Sequence, residues 1–130
     1  MASVFTQIIK GEKPCHKILG DENYLSFLET RPIHPGHTLV IPKKEIDNIF
    51  DLDDQTLTGL TLFAKKTAKI IQKAVPCRKV AIMVYGLQVP HAHVHLVPVH
   101  GIAGELNFAN AKPADDASLA KMAAKIRAYI

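Results

Sequence analysis

Residues 91–95 read His91-Ala92-His93-Val94-His95, and Leu96-Val97-Pro98 follow. Polar and apolar residues that alternate one for one fit an extended strand, whose side chains point to opposite faces with period two. In that strand all three imidazoles fall on one face. Ala92, Val94 and Leu96 fall on the other, where they can pack. The segment therefore demands a sheet with one apolar side and one side built for polar chemistry. Three adjacent imidazoles are poor core material and suit a charged ligand.

The remaining elements can be placed around this strand. Ser3 to Lys10 reads as a short helix, with Ser3 as its cap, Phe5, Ile8 and Ile9 as its apolar side and Gly11 as its end. Lys17-Ile18-Leu19 is a short strand, Gly20 to Asn23 a turn and Tyr24 to Leu28 a second strand. A polar link containing Pro32 and Pro35 leads to a third strand, His37 to Ile41, stopped by Pro42. Asp53 or Asp54 caps the longest helix. Its apolar positions are Leu57, Leu60, Ala64, Thr67 or Ala68, Ile71 and Val75, and Pro76 ends it. Val80 to Tyr85 is continuously apolar and reads as a central strand, joined tightly through Gly86 to Pro90 to the histidines. Ala114 to Tyr129 is a closing helix with Leu119, Met122 or Ala123, Ile126 and Ile130 on one side. This order predicts an α+β fold with an antiparallel sheet. At 130 residues, and with no repeat or linker, residues 1–130 are expected to form a single domain.

Composition narrows the function classes. Hydrophobic residues make up 48% of the chain, enough for a packed core. No apolar run approaches the length of a membrane span, and the first residues lack a basic segment followed by an apolar one. Cys15 and Cys77 are too few for a disulfide scaffold and show no metal spacing, so a cytoplasmic location is expected. A net charge of +4 favours an anionic ligand without arguing for nucleic acid. Lys66, Lys69 and Lys73 share a helix face and read as a solvated surface.

From the residues alone, three roles fit the histidine strand. Neutral imidazoles two apart can converge on zinc. An imidazole can act as nucleophile or acid–base catalyst. Histidines can also serve structure by bonding backbone groups. The alternation with further histidines at His34 and His37 disfavours a purely structural role, and leaves zinc and nucleophilic catalysis both open.

Three blocks together resemble the histidine triad (HIT) family of nucleotide hydrolases and transferases. They are the triad segment, the strand Pro35-Gly36-His37-Thr38-Leu39-Val40-Ile41-Pro42-Lys43, and the N-terminal Phe5-Thr6-Gln7-Ile8-Ile9-Lys10-Gly11-Glu12-Lys13-Pro14. They lie in the family's order and cover about residues 3–100. The resemblance implies a HIT-like fold: an antiparallel sheet of about five strands, a short N-terminal helix, one long central helix and a C-terminal helix. It implies a purine nucleotide substrate (an AMP or GMP derivative) whose α-phosphate lies over the triad. His93 resembles the nucleophile that carries a nucleotidyl group, with a backbone carbonyl near His91 expected to hold its other ring proton. His95 resembles the phosphate- and leaving-group-side histidine, His91 the one that braces the site, and His37 a fourth member of the network. Glu29 stands where the family usually has Asp or Asn on the ribose hydroxyls. Phe5, Ile8 and Phe27 match the positions that enclose the base. No cofactor is implied, and a homodimer is, with the apolar stretch Val80 to Val84 as a buried strand between subunits.

Two departures matter. Many relatives approach the triad with Gly-Gln-Ser/Thr-Val-x-His. Here Gln88 occupies the Ser/Thr position and Leu87 the Gln position. Gln88 can still donate an amide proton to phosphate, and a lost transition-state donor costs about 3 kcal/mol in other enzymes. Some relatives hold a structural zinc through Cys-x-x-Cys and a later histidine. Ser3, Thr6 and Glu45 stand in those places, so no such zinc is expected. The resemblance thus leads to hydrolysis of purine nucleoside 5′-phosphoramidates or related derivatives. Cleavage of dinucleoside polyphosphates and nucleotide binding with weak catalysis stand as alternatives, with a His-ligated metal enzyme behind them.

Overall fold

The computed structural model describes residues 2–130. The Ser3 hydroxyl accepts the Thr6 amide and so caps α1 (Val4–Ile9). Strands β1 (Lys17–Gly20) and β2 (Tyr24–Leu28) form a hairpin, and the proline-containing link leads to β3 (Thr38–Pro42). Asp53 caps the long helix α2 (Asp54–Ala74) by accepting the Thr56 amide. Strands β4 (Lys79–Met83) and β5 (Val94–Val99) and helix α3 (Asp116–Arg127) follow. The strands form one antiparallel sheet in the order β1-β2-β3-β5-β4, so the α+β expectation of five antiparallel strands and three helices holds.

Helices cover both faces of the sheet. On one, Leu60, Phe63 and Ile71 of α2 share a core with Val40, Val94 and Leu96, and Leu119 and Ile126 of α3 extend that core over β1 and β2. On the other, Phe5 of α1 packs on Leu25, Phe27, Leu39 and Ile41. Burial of each such side chain contributes about 1.5–3 kcal/mol. Register decides where the histidines go. Val40 pairs with Val94 and Leu39 with His95, and directly opposed residues share a face. Val94 therefore lies under the long helices and His95 faces α1.

The structure departs from the sequence reading in four places. The histidine segment is not a strand from His91: the ladder begins at Val94. Pairing of β5 with β3 stops at Val94 and with β4 at His95, and the Ala92 amide bonds the Ile46 carbonyl at 2.7 Å instead of a strand neighbour. The alternation survives, because Ala92 packs in the same core as Val94 and Leu96. The stretch expected to be the central strand is β4, at the sheet edge, because β5 returns between β3 and β4. Helix α3 starts at Asp116 because Asp115 caps it through the Ser118 amide, and Ile130 lies beyond its end and is exposed. The buried face of α2 also includes Phe63, Ile70 and Ala74, whereas Leu57 is only half-buried.

Gly59 lies inside α2, where glycine costs roughly 1 kcal/mol relative to alanine. Its backbone is crossed by Tyr24: a Cβ built on Gly59 would lie 1.9 Å from the Tyr24 hydroxyl oxygen and 2.6 Å from Cζ. That hydroxyl also donates to the Thr56 carbonyl, which fixes the ring. Gly59→Ala is therefore expected to lower the free energy of unfolding by at least about 1 kcal/mol instead of raising it as helix propensity alone dictates. Urea denaturation of the two proteins checks the sign.

Candidate active site

A cleft of about 550 Å³ opens on the α1 face of the sheet. Phe5 and Ile8 of α1 and Phe27 of β2 supply apolar walls, and Glu29, Gln88 and His93 contribute polar groups. These are six of the nine residues singled out from the sequence. The other three, His37, His91 and His95, are buried and do not line the cleft. All four histidines are at most 2% exposed, so each needs hydrogen bonds to offset desolvation.

The bonds fix which nitrogen carries each proton. His93 Nδ1 lies 2.8 Å from the His91 carbonyl, an acceptor, so Nδ1 keeps the proton and donates it. The Nε2 of His93 is left with its lone pair. Burial lowers the His93 pKa, more than the carbonyl bond raises it, and keeps the ring neutral at pH 7. The acceptor expected near His91 is thus the carbonyl of His91 itself. The edge of Phe5 meets the His93 ring at a centroid distance of 5.2 Å and limits its rotation.

The opposite tautomer is imposed on His95. The Ile33 amide donates to His37 Nδ1 at 3.0 Å, which leaves the His37 proton on Nε2. That nitrogen lies 2.9 Å from His95 Nδ1 and donates to it. His95 must then carry its own proton on Nε2, the one buried side-chain polar atom without a partner among the described residues. Burial, with the charge of His34 nearby, pushes His37 down to about 4, and burial, with the charges of His37 and His93, pushes His95 down to about 3. The His93 and His95 rings stand 5.0 Å apart at 67°. The site thus sets a lone pair beside a hydrogen-bond donor, both made from neutral imidazole.

Other lining residues were not picked out from the sequence. Lys13 and Arg31 add positive charge to the cleft wall. Phe108 lines it and stacks edge to face on His95 at 5.1 Å. Phe108 opens a single 3-10 turn (Phe108–Asn110) in a stretch without periodicity, where its being a lone large aromatic is the one available signal. Glu29 accepts the Arg31 amide at 3.1 Å, and burial raises its carboxyl pKa.

The HIT domain pattern matches residues 10–102. This chain belongs to the HIT family. An uncharacterised HIT-like protein of Methanocaldococcus jannaschii is 32% identical over 86% of this chain and 91% of its own. A hypothetical histidine triad nucleotide-binding protein of Sulfolobus tokodaii superposes with a TM-score of 0.87 at 27% identity, over 97% of this chain and 90% of that one. The adenylylsulfatase HINT3 of Arabidopsis thaliana is 29% identical over 73% of this chain and 51% of its own.

The position of the structural zinc of some HIT relatives is filled differently in this HIT protein. Ser3 Oγ donates to His91 Nδ1 at 2.8 Å, and His91 Nε2 donates to the Pro42 carbonyl at 2.8 Å. Thr6 Oγ1 and the Ser3 amide both donate to Glu45 Oε1 at 2.6 Å. Hydrogen bonds from Thr6 and Ser3 hold the Glu45 carboxyl down at about 2. Neutral hydroxyls are weak zinc ligands and both His91 nitrogens are engaged, so these residues do not suit zinc. The three triad rings do not present ligand atoms to one point, since both His91 nitrogens are engaged by Ser3 and Pro42. Gln88 is exposed and lines the cleft.

Because His37 and His95 are neutral when folded and titrate near 6.5 when unfolded, the unfolded chain takes up more protons below that value. Stability is expected to be flat above about pH 6.5. It should fall by on the order of 6 kcal/mol as pH drops towards 4, about half of it from each ring, and His37→Gln should flatten that slope. Urea titrations between pH 4 and 8 measure both.

Proposed function

We propose that this protein hydrolyses purine nucleoside 5′-phosphoramidates or related nucleotide derivatives at the α-phosphate, through a nucleotidyl-histidine on His93, and releases a nucleoside monophosphate. One observation carries the reading: the carbonyl-held Nδ1 proton of His93 directs the Nε2 lone pair at the cleft, beside a protonated and unpartnered His95 Nε2. The family contains nucleotide-binding proteins and nucleotide hydrolases, including a named adenylylsulfatase.

In the first step His93 Nε2 attacks phosphorus, forming an N–P bond while the bond to the leaving group breaks. The leaving group departs with the bonding pair and takes a proton from solvent at the open side of the cleft. The positive charge that develops on the His93 ring is met by the His91 carbonyl. His95 Nε2–H donates to phosphate oxygen, where charge grows in the transition state. Water then attacks phosphorus and releases a proton to solvent, the N–P bond breaks with its electron pair going to Nε2, and the neutral imidazole returns. Lys13 and Arg31 steer the anion, Glu29 accepts from ribose hydroxyls, and Phe5, Ile8 and Phe27 enclose the base. Gln88 in place of a hydroxyl residue favours slow handling of the leaving group. This supports, as a second reading, a nucleotide-binding protein with weak turnover. Dinucleoside polyphosphates would be cleaved by the same route.

A fluorogenic adenosine 5′-phosphoramidate, assayed with EDTA present, tests the proposal. Wild type should turn over. His93→Ala should lose at least about a thousandfold in kcat and keep nucleotide affinity within a few fold. Absence of wild-type turnover on this substrate and on diadenosine polyphosphates would favour the binding reading.

We also propose a homodimer formed along β4, and a cytoplasmic location to go with nucleotide substrates. No helix among the described residues is long and apolar enough to cross a membrane. The free edge of β4 carries exposed Ile82 (59%), and exposed Val84 and Tyr85 follow it. Such an edge is a template for pairing with a second copy. Light scattering should give twice the 14.3 kDa chain mass for wild type and the single mass for Ile82→Glu. A wild type that is monomeric at micromolar concentration would sink the dimer.

A further inference from the structure

A second cluster of ligand-bearing side chains lies outside the triad. His34 sits in the link before β3, His100 directly after β5, and Glu105 in the loop that follows. One oxygen, Glu105 Oε1, lies 3.7 Å from His34 Nε2 and 3.8 Å from His100 Nδ1. One ligand atom from each of the three residues falls within 4.8 Å of the others. Ligands at about 2.1 Å from a tetrahedral ion stand roughly 3.4 Å apart, so small ring movements would complete a site.

Two of the three ligands are already oriented. His100 Nε2 donates to the Pro76 carbonyl at 3.1 Å. A neutral His100 therefore turns its Nδ1 lone pair towards Glu105, with its outer N–H anchored on a carbonyl as in metal-bound histidines. The carboxylate is clamped by the backbone amides of His100, at 2.6 Å, and of Ile102. Its side chain is 8% exposed. The His34 and His100 rings cross at 63° with centroids 5.1 Å apart. Two imidazole nitrogens and one carboxylate oxygen thus converge on one point, where a single divalent ion would meet all three groups.

We propose that His34, His100 and Glu105 bind one divalent transition metal ion of the zinc, cobalt or nickel class, with water completing the coordination. Two imidazoles and one carboxylate suit these ions better than calcium or magnesium, which take oxygen ligands. The ion has no part in the triad chemistry. It joins the link before β3 to the loop that carries Phe108, the ring stacked on His95, and so steadies one wall of the cleft.

The test is calorimetric titration of chelator-stripped protein with Zn2+ and with Co2+ at pH 7.5, with the Co2+ visible spectrum read alongside. The variants are His34→Ala, His100→Ala, their double and His93→Ala, each checked by circular dichroism. One ion per chain is expected, with affinity at least tenfold weaker in each single variant of the pair and unchanged in His93→Ala. Bound Co2+ should show the intense visible bands of a four- or five-coordinate ion. Three results would overturn the proposal: no binding up to millimolar metal, binding that survives the double variant, or binding lost on changing His93. Failure of the phosphoramidate assay leaves this measurement untouched, because it reads metal alone.

Discussion

The 2.8 Å bond from His93 Nδ1 to the His91 carbonyl is the constraint around which the rest of the site is arranged. A neutral imidazole has one proton for two nitrogens, and whichever nitrogen keeps it surrenders the lone pair. The acceptor belongs to the residue two positions earlier, so nitrogen and carbonyl are set by one stretch of backbone. That stretch has no ladder to hold it. It is pinned by the Ala92 amide on Ile46 and by the His91 ring wedged between Pro42 and Ser3. Helix α1 therefore does more than close one face of the sheet. Through Ser3 it steadies the ring beside the catalytic candidate, and through Phe5 it confines His93 itself.

The His37–His95 pair applies the same rule in reverse. A backbone amide at Ile33 consumes the lone pair of His37, and the consequence passes across two rings to leave a proton on His95 Nε2. Two neighbouring histidines on one sheet face thus end in opposite roles with no charged residue directing either. Desolvation keeps all of these rings neutral, and neutrality is what lets the tautomers, rather than net charge, define the site.

Much of this was legible in the sequence, because it rests on local periodicity. Alternation placed Ala92, Val94 and Leu96 in the core, and the caps at Ser3 and Asp53 read directly from residue type. The apolar run after Pro76 misled because periodicity cannot tell a strand buried by its own subunit from one exposed at a free edge. Register and strand order are set by non-local pairing, as between Leu39 and His95. The tautomer relay was equally out of reach, since it depends on the Ile33 amide meeting His37 across a turn. Phe108 and Arg31 reach the cleft from loops whose paths no pattern specifies. The cluster of His34, His100 and Glu105 is divided between two loops, with 66 residues separating its histidines.

The unpartnered His95 Nε2 has a consequence for what such a cleft retains. A buried donor left unmet costs about 1–3 kcal/mol, and any oxyanion that reaches it recovers that cost. The donor cannot reverse its polarity, because a backbone amide far from the ligand holds it. Any ligand with a phosphate oxygen, whatever else it carries, meets the same fixed donor. The feature that draws an oxyanion into the cleft therefore also resists its departure.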